Sequence, residues 1–389
     1  MCTSKLEHAG VADHKSTTPT PQSLHKHKQH PLTASIAGYI GRFLAHHIHS
    51  NSLASTLRIV DKQLPQLAQL APEHVAACSG SNFLQADASK PQSLERIFSL
   101  PGGGSFDYIF NCGGETRYSH DDQVYKARSH ALSLTIGAEA ARRHCRAYIE
   151  LSTGQVYESR REPRKESDKT KPGIKLARWK LAAEEELARI PGLKLVVLRL
   201  AHVYGPYAGR GWLGTQLALA RVYQEQRGRE LKYLWSAELR TNTVHVADVA
   251  RACWAAAEWR AAREQQHPTT TTPPQDAPPQ ASSPHPAVFN IVDTGATSQG
   301  TMTGILASLF AIPTGFQNAL VNTFARLNLE AVVDDVNDET LDQWAELQRR
   351  AGIADGGSGP LSPFMEKEAL RDSELSLDGA LFVRETGFR

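Results

Sequence analysis

The residues best able to do chemistry sit close together in one stretch. Tyr148-Ile-Glu-Leu-Ser152-Thr153-Gly-Gln-Val-Tyr157 reads as a buried strand ending in a hydroxyl pair. After a charged loop, Lys175-Leu176-Ala-Arg-Trp-Lys180 opens a helix. Hydroxyls at Ser152 and Thr153 can orient a substrate oxygen, and the Lys180 ammonium can anchor a hydroxylated group of a bound nucleotide. A proton donor sharing the Lys180 face belongs one helical turn earlier, and that position is Leu176. No tyrosine lies between Tyr157 and Lys180, so a register shift supplies none. Tyr118 and Tyr157 are the candidate substitutes. Glu184 to Glu186, further along the helix, read as a solvated face.

A second constellation lies upstream. Ser35-Ile-Ala-Gly38-Tyr39-Ile40-Gly41 keeps two glycines of a G-x-x-G-x-x-G turn, with Ser35 at the first glycine position. The second glycine lets backbone approach a pyrophosphate, and the third lets helix and strand pack closely. Phosphate is held by the free N–H groups of a helix start. The β-rich run Thr56-Leu-Arg-Ile-Val-Asp61 ends in an acid 20 residues past Gly41. That carboxylate would accept from the adenosine ribose hydroxyls and repel a 2′-phosphate, which favours NAD over NADP. Asp87 at the next strand end and the small-residue loop Asn111-Cys-Gly113-Gly-Glu-Thr116 complete the expected cofactor set: Ser35, Gly38, Tyr39, Ile40, Gly41, Asp61, Asp87, Asn111, Gly113, Thr116 and Lys180.

Positioning these residues requires alternating strands and helices. Phe106 to Asn111, Tyr148 to Thr153 and Leu193 to Leu200 are near-continuous apolar runs of the kind found in parallel sheets covered on both faces. The alternation predicts an α/β fold, a doubly wound parallel sheet of Rossmann type with a smaller C-terminal substrate domain. The first strand is expected to be weak or missing, because Pro31-Leu-Thr-Ala has a proline and few β-branched residues. The expected layout is a disordered tail over 1–33, a dinucleotide-binding domain over 34–205 and a substrate-side region over 206–389. Within the last, 240–260 and 287–293 return to the nucleotide domain, and the Pro/Thr-rich 264–286 forms a disordered insertion.

Composition narrows the function class. Lysine plus arginine number 43 against 41 acids, which gives no support to nucleic-acid or membrane-surface binding. No apolar run approaches the roughly 18 residues of a membrane span. Five scattered cysteines without a CxxC pair argue against a disulfide framework and a structural zinc site. His25-Lys-His27-Lys-Gln-His30 has lysines that repel a cation, so no metal is expected. The N-terminus lacks a signal-peptide core, and a reducing, cytoplasmic setting is expected.

In order and spacing these landmarks resemble the extended short-chain dehydrogenase/reductase superfamily, specifically the NAD-dependent epimerase/dehydratase group. The resemblance rests on Gly38-x-x-Gly41 with Asp61, Asp87, Asn111 to Thr116, Ser152-Thr153 with Val156-Tyr157, Lys180, Arg199 with Val203-Tyr-Gly-Pro206, His245-Val-x-Asp248 and Phe289-Asn-Ile. It runs from about residue 35 to 295. It implies NAD as cofactor and a sugar-nucleotide or similar carbonyl/alcohol substrate. In that family a tyrosine four residues before the lysine is the general acid/base, the lysine binds the nicotinamide ribose, and the Ser/Thr orients substrate. Here Leu176 replaces the tyrosine, so the alternatives are an atypical enzyme and a catalytically inactive dinucleotide-binding or scaffold protein. The resemblance also implies homodimers built from the helices flanking the site, about 120–143 and 176–189. Arg210 and Arg240 are candidate contacts for an anionic substrate.

Overall fold

The structure is a computed structural model and describes residues 31–34, 38–100, 102–209, 211–266, 287–353 and 361–389. The expected disordered tail over 1–33 is corrected at its end, since residues 31–33 belong to a strand, Pro31–Ala34, paired on both sides. Residues 1–30 with the His25–His30 tract, Ser35 and most of the 264–286 insertion lie outside the described residues.

Eleven strands occur among the described residues: β1 (Pro31–Ala34), β2 (Arg58–Asp61), β3 (Phe83–Gln85), β4 (Tyr108–Asn111), β5 (Ala147–Thr153), β6 (Leu195–Leu200), β7 (His202–Tyr204), β8 (Leu231–Tyr233), β9 (Thr243–His245), β10 (Ala287–Ile291) and β11 (Thr314–Phe316). Seven form one parallel sheet in the order β10-β6-β5-β4-β1-β2-β3. The order reverses between β1 and β4, which creates the crevice where doubly wound folds take a nucleotide.

The expected weak or missing first strand is corrected here: β1 is present at the sheet centre. It pairs with β2 from Leu32 to Ala34 and with β4 from Pro31 to Ala34. A central strand of four residues draws its ladder from two neighbours, and its proline occupies the first position, where a missing N–H is best tolerated.

The alternation of β5 sorts its side chains onto two faces. Ile149 and Leu151 join the cluster containing Leu44, Phe110 and Trp254, under the helices Tyr39–Ser50 and Val246–Gln266. Tyr148 joins the opposite cluster with Ile109, Ile136, Leu187 and Val197, under the helices Ala131–Arg142 and Lys175–Leu187. Burial of Val196, Val197 and Leu198, each at most 1% exposed, stabilises by roughly 1.5–3 kcal/mol per side chain.

The chain beyond β6 builds a second, smaller body. Strands β8 and β11 pair in parallel within it, whereas the parallel pair β7 and β9 packs on the main core through Val203 and Val244. Helices Trp212–Glu225, Gln299–Phe310 and Leu329–Arg350 join β8 in a separate apolar cluster of Leu219, Leu231, Leu306 and Val333, with Ala319–Leu327 beside it. The C-terminal segment returns to the main sheet. Asn242 N–H donates to Leu375 O, and Phe382 lies 5.2 Å from the Phe289 ring of β10.

Candidate functional site

Gly38 is extended and precedes the helix Tyr39–Ser50 at the end of β1. No side chain caps that helix, and uncapped N–H groups at a helix start are the donors that an anion takes. Gly41 is buried within the helix, and Ile40 packs on the core. Burial pushes the Tyr39 phenol well above its usual range, and its hydroxyl has no hydrogen-bond partner. Asp61 closes β2 with Oδ1 accepting from Gln63 N–H at 3.0 Å. Asp87 accepts from the Ser89 amide and hydroxyl at 3.0 and 2.6 Å. Burial opposes its ionisation, but those two bonds together with the Lys62 and Lys90 charges outweigh burial and the carboxyl is lowered overall.

The loop after β4 holds the other expected contacts. Asn111 is fully buried. Its Oδ1 accepts from Gly113 N–H at 3.1 Å, while its amide donates to Ser133 Oγ and Glu150 Oε2 at 3.0 and 2.8 Å. Thr116 is exposed, with its N–H on Glu115 Oε1. Gly114 has φ +136°, and a Cβ there would stand 3.2 Å from Ser129 Oγ and 3.4 Å from Lys180 Nζ. Only glycine lets this loop lie against the lysine.

Lys180 comes from the helix Lys175–Leu187, and its ammonium is drawn down to β5. Nζ donates to Leu151 O at 2.7 Å and stands 3.7 Å from Glu150 Oε1. Glu150 is 1% exposed. Its carboxylate accepts from Asn111, Ser133 Oγ (2.8 Å) and Tyr148 Oη (3.0 Å). Burial raises the Glu150 pKa, with Lys180 and these donors opposing the rise. An ammonium carries three N–H donors. One is donated to Leu151 O, and Glu150 at 3.7 Å acts on the ammonium by charge rather than by a hydrogen bond, so N–H capacity is left for a ligand in the crevice.

Ser152 and Thr153 diverge. Ser152 Oγ donates to Glu184 Oε1 behind the sheet. Thr153 Oγ1 accepts from Gln155 N–H at 3.2 Å and caps the short turn after β5. The reading of Glu184 to Glu186 as one solvated face is corrected at its first residue. Glu184 is 5% exposed and pairs with Arg199 Nη2 at 2.6 Å, whereas Glu185 and Glu186 are exposed. The Arg199 guanidinium also lies 4.8 Å from the Tyr157 ring centre. Burial would lower the arginine pKa, but Glu184 raises it overall.

Leu176 packs in the main core at 9% exposure. Neither substitute phenol is idle. Tyr157 Oη donates to Asn290 Oδ1 at 2.9 Å. Tyr118 hydrogen-bonds the Gln155 side chain, and burial pushes its phenol up to about 12. Tyr118 and Gln155 wall a cavity between the sheet and the smaller body. Arg240 is engaged with Ala296 O at 2.6 Å, and Arg210 lies outside the described residues. His245 Nδ1 accepts from Ala247 N–H, and Asp248 stands 3.6 Å from Arg251. Both are spent on the strand-to-helix junction.

The sequence reading missed Glu150 and its partners. The available signal was a single carboxylate in an otherwise apolar strand, two residues before Ser152 and therefore on the same face.

Comparison with known proteins agrees with this geometry. The family model described as NAD dependent epimerase/dehydratase family matches residues 36–269. No curated protein matches the chain in sequence. Among solved structures, the Bordetella bronchiseptica enzyme WbmG in complex with NAD and UDP superposes with a TM-score of 0.59 at 13% identity, covering 93% of this chain and 90% of that one. Helicobacter pylori ADP-L-glycero-D-manno-heptose-6-epimerase gives 0.55 at 20% identity over 75% and 86%. Thermotoga maritima UDP-glucose 4-epimerase with UDP-glucose gives 0.54 at 20% identity over 74% and 85%. At these identities the structures share the fold, and the family model covers more than half of the chain: this protein belongs to the NAD-dependent epimerase/dehydratase family.

Proposed function

We propose that this chain is an atypical NAD-dependent epimerase/dehydratase-like protein that holds a sugar-nucleotide or similar carbonyl/alcohol substrate beside the crevice. The observation that carries this reading is Lys180, held at the crevice by a hydrogen bond to Leu151 O and by the Glu150 charge, with N–H capacity left over. The residues fit the adenosine half of the cofactor. The helix start after Gly38 would take the pyrophosphate and Asp61 the ribose hydroxyls, with NADP disfavoured by that carboxylate. Lys180 would donate an N–H not taken by Leu151 to the nicotinamide ribose. The dinucleotide, when bound, supplies hydride acceptance and donation.

The proton side is different. Positioned proton transfer is worth roughly 10²–10⁴-fold, and Leu176 cannot provide it. Tyr118 is the phenol best placed to stand in, because it lines the substrate-side cavity. A second reading, a catalytically inactive dinucleotide-binding or scaffold protein, is favoured by the burial of Leu176 and by the commitment of the Tyr157 hydroxyl to Asn290. Four described cysteines are free thiols, which supports a reducing cytoplasmic setting. Among the described residues no helix is long and apolar enough to cross a membrane.

Calorimetry with NAD and NADP on the purified chain tests the cofactor assignment, and absence of both heats defeats it. Turnover of a nucleotide-sugar panel by the natural chain, lost in Tyr118→Phe, supports the enzyme. Turnover only after Leu176→Tyr supports the silent binder.

A further inference from the structure

One helix of the smaller body, Ala319–Leu327, is apolar on its outer side as well as its inner one. Asn318 caps it, with Oδ1 accepting from Val321 N–H at 3.0 Å. The inner side is fixed by Asn322, which accepts from Trp235 N–H at 3.0 Å and donates to Trp235 O at 3.2 Å, and by Ala325, which packs with Trp235 and Leu239. The outer side carries Leu320, Phe324 and Leu327 at 79%, 51% and 83% exposure. Their i, i+4, i+7 spacing aligns them in one stripe, the seam through which helices pair. A surface helix ordinarily turns polar residues to water on that side. The one charged residue of this helix, Arg326, is paired with Asp372 at 2.7 Å.

The sequence around the stripe indicates its partner. From Thr294 to Ala325 there is no Asp, Glu, Lys, Arg or His, although 22% of the whole chain is charged. The run includes the helix Gln299–Phe310, which exposes Ile305 and Leu309 one turn apart. A charged partner finds no complementary charge on such a surface. A helix that lies on a lipid surface carries Lys and Arg on its polar side, whereas the next helix here, Leu329–Arg350, exposes Asp334, Asp335 and Asp338. A second copy is the partner that gains from the absence of charge. A two-fold contact lays a patch on its own duplicate, so each charge in it would meet its like. The three side chains leave on the order of 400 Å² in water, a size typical of contact patches. Both copies together bury about 800 Å² of apolar area, and at the roughly 65% apolar share of homodimer interfaces this corresponds to about 1,200 Å² in all, the lower edge of stable complexes.

We infer that this chain associates with a second copy of itself through the outer side of the helix Ala319–Leu327, with Leu320, Phe324 and Leu327 of one protomer packing on the same three residues of its partner. The contact is separate from the helices Ala131–Arg142 and Lys175–Leu187 beside the Lys180 site, and it does not depend on the cofactor or substrate readings.

Analytical ultracentrifugation of the full chain over a concentration series tests it. The natural chain should self-associate. Leu320→Glu/Leu327→Glu should lose one step of that association, weakened by about 30-fold or more, the scale of a lost hot spot. Leu320→Lys/Leu327→Lys should lose it too, and the two variants mixed should associate again, because unlike charges then face each other. Val383→Glu changes an exposed apolar side chain elsewhere and should leave association intact. Melting temperatures at the highest dilution should match the natural chain, since all these side chains are exposed in the folded protomer. A natural chain that stays monomeric, an association untouched by the Glu pair, or a Glu/Lys mixture that stays apart overturns the inference. Flotation with uncharged phosphatidylcholine vesicles that the Glu pair abolishes also overturns it, and makes the stripe a lipid contact.

Discussion

Lys180→Met tests whether the lysine belongs to the fold as well as to the crevice. The ammonium lies 3.7 Å from Glu150, whose carboxylate is 1% exposed. Removing one partner of a buried ion pair costs on the order of 3–5 kcal/mol. Three donors remain on Glu150 after the change, from Asn111, Ser133 and Tyr148, so the expected loss is at the lower end, about 3 kcal/mol. The double variant Glu150→Leu/Lys180→Met removes both charges and should lose less than the two singles together, with a coupling of about 1–3 kcal/mol. The loss is also pH-dependent. Burial raises the folded pKa of Glu150 above its ordinary 4.5, so stability from the protonated acid is complete below 4.5 and disappears as pH rises through the folded value. Without Lys180 that folded value climbs further, and the deficit of Lys180→Met against the natural chain must grow with pH above 4.5. Urea unfolding at several pH values measures this. A deficit below about 1 kcal/mol, flat in pH and additive in the double variant, would mean that Lys180 is an ordinary solvated helix lysine.

His74 is fully buried among Phe43, His46 and Tyr207, and both ring nitrogens lack partners. Burial lowers its folded pKa below 6.5, so the natural chain should lose stability as pH falls below about 6.5. In His74→Phe that acid-side loss should shrink in melting curves by the share His74 contributes, the rest coming from His202 and His47, which burial also lowers, with a gain of roughly 1–3 kcal/mol at neutral pH from removing unsatisfied nitrogens. Arg199→Met strands Glu184 and should cost about 3–5 kcal/mol in urea unfolding, against about 1.5–3 kcal/mol for Ser152→Ala, which removes one donor to the same carboxylate. Asp61→Asn removes the charge facing the expected ribose, and calorimetry should show NAD weakened and the preference over NADP narrowed.

Much of this was legible in the sequence because the parallel sheet writes itself as apolar runs. Strands β4, β5 and β6 are buried on both faces, and so are nearly continuous in Val, Ile, Leu and aromatic residues. Strand β1 was not legible, since its pairing is supplied by neighbours contributed 25 and more residues later. The site was legible as residue types but not as partnerships. Glu184 looked like its exposed neighbours because helical position alone does not reveal an arginine arriving from β6. Asn111 looked like a cofactor contact, but its side chain is spent on Gly113, Ser133 and Glu150, positions up to 39 residues away.

The exchange at Leu176 and the carboxylate at Glu150 concern the same ammonium. In a Tyr–Lys pair the lysine's charge favours the phenolate, and one pKa unit is about 1.4 kcal/mol of that preference. In this chain the Lys180 charge already faces Glu150 at 3.7 Å. Two unit charges at about 4 Å interact by up to roughly 4 kcal/mol at an effective dielectric of 20, enough to compensate most of the field a phenol would feel. Restoring Leu176→Tyr alone therefore returns the hydroxyl without its full activation. Leu176→Tyr/Glu150→Gln should carry the rising limb of its pH–rate profile at lower pH than Leu176→Tyr, by about one unit or more. Identical limbs would show that Glu150 does not share the lysine with the active site, and its four contacts would then serve the fold alone.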